Sequence, residues 1–185
     1  MDTGRLFVST THNRFVAMGC NFLATLVVHG DDDPVSGKGN YVSVCAALCA
    51  DRSQSQLGDT SCSGVGCCQA TVPVGYARYA VRVQKLNGTA TRRTNIFYIA
   101  ERGVNYTINR TTAEHAPPPA LPAVLDWVIG DANSTCPVDA PAPECRSSQR
   151  YCQNSTAEAH RGYICRCSAG YEGNPYITDG CQGKA

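Results

Sequence analysis

Six cysteines, Cys136, Cys145, Cys152, Cys165, Cys167 and Cys181, fall within 46 residues near the C-terminal end of the chain. A segment this short buries too little apolar surface to hold itself together, so covalent links must do so. Six sulfurs can supply three disulfides, with 15 connectivities open from sequence. Six more cysteines, Cys20, Cys45, Cys49, Cys62, Cys67 and Cys68, lie upstream, and their pairing order is equally open. Twelve cysteines in 185 residues point to an oxidising compartment rather than the cytosol. Zinc is the rival use of so many thiols, but the chain has no pair of C-x2-C knuckles.

Five N-x-[ST] sequons, at Asn87, Asn105, Asn109, Asn133 and Asn154, fit the same compartment and suggest a secreted glycoprotein. Glycans at Asn105 and Asn109 would keep that edge of the protein facing solvent. The formal charge is +1 with 17% charged residues, so overall electrostatics call for no nucleic-acid partner. No apolar run reaches the length of a membrane span. Met1 to Arg5 has no apolar export signal, so the chain is expected to be a truncated piece of a longer exported protein.

The expected elements are mostly strands. Arg14 to Met18 and Phe22 to Val28 are rich in β-branched and apolar residues. His29 to Pro34 forms a polar loop, and its three aspartates are a solvated turn rather than metal ligands. Val42 to Asp51 is expected as a short helix carrying Cys45 and Cys49 on one face. Around Ser63-Gly64-Val65-Gly66, glycines let the chain bend tightly past several sulfurs. Adjacent Cys67 and Cys68 should reach different partners, because bonding each other is strained. Tyr76 to Lys85 alternates as a strand, with Ala77, Tyr79, Val81 and Val83 on one face and Tyr76, Arg78, Arg82 and Gln84 on the other. Asn87-Gly88 suits a hairpin turn or the first part of a glycosylated loop. Asn95 to Ala100 and Val104 to Ile108 are further strands. Residues 113–122 are Pro-rich, a linker or an extended wrap. Leu125, Trp127 and Ile129 are expected to form the single apolar face of a last strand. Cys165 and Cys167 are expected to serve separate bridges, above and below a small hairpin.

Catalysis finds little support. His12, His29, His115 and His160 are scattered without a paired acid or base, and oxidised cysteines are no nucleophiles. Asp126 and Glu144 could be imagined as a glycosidase pair, but such a pair must flank a cleft. Asp131 alone is a poor start for a calcium-binding module. The chain is expected to be no enzyme and to need no metal or other cofactor.

Four motifs, in order, resemble the extracellular region of plant wall-associated receptor kinases. Asn13 to Asn21 resembles the family's "NRF-x3-GC" segment. Asp59 to Gln69 resembles its "CSGxGCCQ" segment. Leu125-Asp126-Trp127 before Cys136 resembles the junction into an EGF-like module. Gly162 to Tyr176 resembles "GYxCxCxxGYEGNPY". The chain departs from that pattern in several ways. The upstream "YPFG"-like part, a cysteine near Ile96, the calcium-type EGF module, the membrane helix and the kinase motifs have no counterpart here.

The resemblance implies a mostly β, disulfide-rich architecture. Residues 1–130 would be the C-terminal part of a galacturonan-binding cysteine-rich domain, incomplete at its N-terminus, and 131–185 a small EGF-like module. It implies the bridges Cys136–Cys152, Cys145–Cys165 and Cys167–Cys181. It implies extracellular, non-catalytic binding of pectin or oligogalacturonides at the cell surface, with the membrane reached only through segments missing from this chain. A polyuronate site wants cations for carboxylates and rings for sugar faces. Tyr76, Arg78, Arg82, Lys85, Arg92 and Arg93 are the candidates. The alternative function is docking of a peptide ligand or co-receptor through the EGF-like part.

Overall fold

The computed structural model describes residues 5–28, 40–49, 62–73, 75, 78–86, 95–104, 120–130, 134–139, 141–155 and 162–184. Among them there is no helix, and hence none long and apolar enough to cross a membrane. Twelve short strands form: β1 (Arg5–Val8), β2 (Asn13–Met18), β3 (Phe22–Val28), β4 (Asn40–Ala47), β5 (Cys67–Thr71), β6 (Ala80–Lys85), β7 (Ile96–Glu101), β8 (Leu125–Val128), β9 (Arg150–Asn154), β10 (Tyr163–Cys167), β11 (Tyr171–Gly173) and β12 (Cys181–Gly183). All twelve cysteines are bonded in six disulfides. The chain divides into two compact units, one of Val8–Leu125 and one of Met1–Phe7 with Asp126–Ala185.

The larger unit holds two three-stranded antiparallel sheets, in the orders β5-β2-β7 and β4-β3-β6. The middle strands β2 and β3 are more buried than the margin strands β6 and β7, because each is paired on both sides and covered on one face. Phe15 and Ala17 of β2, Phe22, Ala24 and Leu26 of β3, Cys45 and Ala47 of β4, and Cys68 of β5 enter one shared buried cluster. Phe22 meets Phe97 of the other sheet edge-on, with ring centroids 5.6 Å apart. Cys45–Cys68 joins β4 to β5, Cys20–Cys49 spans 29 positions, and Cys62–Cys67 closes a short loop. Adjacent Cys67 and Cys68 thus do take different partners.

Val42 to Asp51 does not form the expected helix. Asn40–Ala47 is a strand that pairs along β3, with a register shift between Leu26 and Val27. The i, i+4 spacing of Cys45 and Cys49 suggested one helical face, but the sulfurs answer to different neighbours. Cys45 lies opposite Ala24 and points into the core, while Cys49 lies beyond the strand and reaches Cys20. Its β-branched neighbour Val44 is at home on a pleated surface.

The smaller unit contains the hairpins β9–β10 and β11–β12, and β8 paired with β1. A small cluster of Ile129, Ala142, Cys145, Tyr163 and Cys165 is its apolar centre. Cys136–Cys152, Cys145–Cys165 and Cys167–Cys181 staple it in first-to-third, second-to-fourth and fifth-to-sixth order. Cys165 and Cys167 are not above and below the hairpin. Side chains alternate with period two, so both share one face of β10 while Arg166 between them is exposed. Their separate bridges come from their different positions along the strand.

The strand after the Pro-rich segment also differs from expectation. Leu125 and Trp127 are 51% and 40% exposed, whereas Val128 and Ile129 are buried. Ile129 exchanges two backbone hydrogen bonds with Tyr163, which turns the segment so that Val128 faces inward. Val104 begins an expected strand whose remaining residues, 105–108, lie outside the described residues, as do His29 to Pro34, Asn87-Gly88 and 113–119.

Candidate functional site

Strand β6 carries the described part of the basic set. It pairs with β3 and with no other described strand, so it lies at the sheet margin. The register sets Arg82 opposite Thr25, Gln84 opposite Leu23 and Lys85 opposite Phe22. Directly paired residues share a face. Arg82 and Gln84 therefore occupy the outer face with Thr25 and Leu23, while Val81 packs against the core. On β4 the same outer face continues through Val44, opposite Thr25, and Ala46, opposite Leu23. Two rows result, Arg82-Thr25-Val44 and Gln84-Leu23-Ala46, in which Val44 is 51% exposed.

The alternation expected for Tyr79 and Val81 is present, since both pack against the core. Val83 of the same set is 43% exposed, because the core thins towards this margin. Arg78 is exposed just before the strand, and Lys85 is exposed at its end. Lys85 shares the parity of Val81 and Val83, so it sits on the opposite face from Arg82. Tyr76, Arg92 and Arg93 lie outside the described residues. None of the outer-face residues named above is aromatic. What remains is a weakly apolar outer face of Leu23, Thr25, Val44 and Ala46 with Arg82 and Gln84 along its β6 side.

The smaller unit supplies features that the linear sequence did not reveal. Tyr151 and Arg166 are direct cross-strand partners of β9 and β10, and both are exposed. Trp127 lies against Tyr176, with centroids 4.8 Å apart. The Tyr176 hydroxyl accepts from Cys165 N at 2.9 Å and donates to Cys165 O at 3.4 Å. Burial raises the Tyr176 pKa, against the opposing pull of the Cys165 backbone hydrogen bond and the Arg166 charge. Tyr163 is pushed up to about 12, first by burial, then by donating to Glu144 at 2.7 Å and by the Glu144 charge. Both phenols are structural fasteners.

Of the other candidates, His29, His115, His160 and Asp131 lie outside the described residues. Among the described residues no three His, Cys, Asp or Glu side chains converge as a metal site. His12 Nδ1 contacts Ser9 Oγ at 3.0 Å and Thr11 Oγ1 at 2.9 Å, but Ser9 is fully buried. Four sequon asparagines, Asn87, Asn105, Asn109 and Asn133, lie outside the described residues, whereas Asn154 ends β9 and is exposed.

Comparison with known proteins decides the relationship. Wall-associated receptor kinase 2 of Arabidopsis thaliana is 34% identical over 191 residues, covering 95% of this chain and 23% of that protein. Wall-associated receptor kinase 3 of the same plant is 30% identical over 196 residues, covering 97% of this chain and 24% of that protein. This chain is homologous to the wall-associated receptor kinases. It spans about a quarter of the length of these relatives and corresponds to a non-kinase region of them. Wall-associated receptor kinase 1 matches 94% of the chain at 28% identity. No family model matches the chain, and no solved structure matches it significantly.

The motifs that carry the resemblance have a physical reading. In the wall-associated kinase segment Asn13 to Asn21, Asn13 and Phe15 are fully buried, and Asn21 adopts a positive φ of 57°. Asn21 Oδ1 accepts from Cys49 N at 3.2 Å, beside the Cys20–Cys49 bridge. Gly64 and Gly66 have φ of 111° and 72°, which lets the "CSGxGCCQ" loop bond both Leu48 and Gly19 through backbone groups. These motifs build the frame of the larger unit.

Proposed function

We propose that this chain is part of the extracellular region of a wall-associated receptor kinase and binds de-esterified pectin or its oligogalacturonides without catalysis. The observation that carries this reading is the outer face of the β4-β3-β6 sheet. Arg82 stands there beside Thr25, Leu23 and Val44, with exposed Arg78 and Lys85 at the same margin. Galacturonan repeats a carboxylate at every sugar, so Arg82 on the outer face and Arg78 just before the strand can meet different uronates of one polymer, with Lys85 at the strand end on the opposite face. Exposed charge pairs contribute little singly and act here through repetition along the polymer. The smaller unit, with its three bridges and two hairpins, is read as an EGF-like spacer.

Retention on immobilised de-esterified polygalacturonate tests the proposal. Binding at low salt that is lost at high salt supports it. Absence of retention at low salt speaks against it. The second reading is docking of a peptide or co-receptor by the smaller unit, favoured by the exposed Tyr151 and Arg166 pair. That reading predicts capture by a protein partner and indifference to polygalacturonate.

A further inference from the structure

We propose that Asn154 is a glycosylation site whose amide serves two purposes at once. Asn154-Ser155-Thr156 is an N-x-[ST] sequon with no proline at its centre. Asn154 is the last residue of β9, exposed, and directly opposite Tyr163. Its Oδ1 accepts a hydrogen bond from Cys136 N at 2.6 Å. Cys136 is bridged to Cys152, two residues before Asn154 on the same strand face. The side chain is thereby held by its oxygen, and among the described residues its Nδ2 donates no hydrogen bond.

Glycosylation uses only the nitrogen. Nδ2 loses a proton and bonds to the anomeric carbon of a lipid-pyrophosphate-linked oligosaccharide, while the anomeric C–O bond breaks and lipid pyrophosphate leaves. Oδ1 keeps its acceptor lone pairs, so the bond to Cys136 N survives the modification. Ser155 N, which donates to Gly162 O at 2.8 Å in the folded hairpin, is open when the sequon meets the transferase as nascent chain. The finished glycan then stands off the end of the β9–β10 hairpin, beside the first bridge of the smaller unit. This rests on the extracellular reading above, since the transferase acts only on exported chains, but it does not depend on pectin binding.

The test is expression of the full chain behind an export leader in leaf cells. The secreted protein is reduced, alkylated and cut with trypsin. A plant-competent peptide N-glycosidase in 18O-water then converts an occupied Asn154 into labelled aspartate. The expected result is label at position 154 in most of the peptide spanning Tyr151 to Arg161, falling to background in Thr156→Ala. That variant removes the sequon and leaves the Asn154 amide in place. Unlabelled Asn154 in secreted protein carrying its three C-terminal bridges overturns the proposal and leaves the side chain as a structural cap alone.

Discussion

Asn13 and Val124 grip each other through both polar atoms of the Asn13 side chain. Nδ2 donates to Val124 O at 2.7 Å, and Oδ1 accepts from Val124 N at 2.9 Å. Asn13 is fully buried and also donates to Ser9 O at 2.8 Å. The side chain thus imitates a strand backbone and fastens two segments 111 positions apart. Replacing it with alanine strands several polar groups, each costing about 1–3 kcal/mol when left unpaired. Asn13→Ala is expected to lose about 3 kcal/mol in a denaturant titration with disulfides intact. Asn13→Asp should be worse, because it sets an acceptor against two carbonyls. Wild-type stability in Asn13→Ala would remove this role.

Gly19 is the second fastener of the same segment. Its φ is 147°, and a Cβ there would run into the Asn95 side chain and the Phe22 ring. Its N–H also donates to Gly66 O at 2.9 Å, tying the two cysteine-flanked loops together. Gly19→Ala must therefore shift a core phenylalanine while holding a disfavoured backbone. The expected outcome is a sharp fall in correctly bridged protein after oxidative refolding, measured by non-reducing peptide mapping. A refolding yield equal to wild type would contradict the crowding described here.

Tyr163 gives the smaller unit an alkaline limit. Its folded pKa of about 12 lies above the ordinary 10.0, so the folded state holds the phenol proton longer than the unfolded state does. Stability from this group is complete below pH 10 and is lost as pH rises towards 12, on the order of 2 kcal/mol. Ultraviolet titration should show a tyrosine that ionises late, and Tyr163→Phe should remove that step. Tyr163→Phe with an unchanged titration would contradict the assignment.

The upstream bridges should differ in weight. Cys62–Cys67 closes a loop of sequence separation 5, whereas Cys45–Cys68 spans 23 and joins two strands of the core. Loop entropy alone makes the longer bridge worth about 1.4 kcal/mol more. Removing Cys62 and Cys67 together, as alanines, should therefore lower the thermal midpoint less than removing Cys45 and Cys68. The reverse order would show that the short loop governs the fold.

Strands β2 and β3 were legible because β-branched and apolar residues cluster in them, and Cys67 and Cys68 because neighbours rarely bond each other. The helix expected near Cys45 failed for a physical reason. The i, i+4 cysteine spacing is a local pattern, whereas the partners that decided the conformation, Ala24 and Cys68, come from distant strands. β1 was missed because Arg5–Val8 is too short to signal itself without β8. The outer face of β6 was legible as alternation around Arg82 and Gln84. Its floor of Leu23, Thr25 and Val44 was not, because only the β4-β3-β6 register assembles it.

The most direct measurement compares wild type with an Arg78→Glu, Arg82→Glu, Lys85→Glu triple variant in low-salt co-sedimentation with de-esterified polygalacturonate. These side chains are exposed, so the variant should keep its bridges and its melting behaviour. The expected result is at least a tenfold loss of affinity, about 1.4 kcal/mol or more, with no change in disulfide map. Undiminished binding by the folded variant would contradict a polyuronate site on β6.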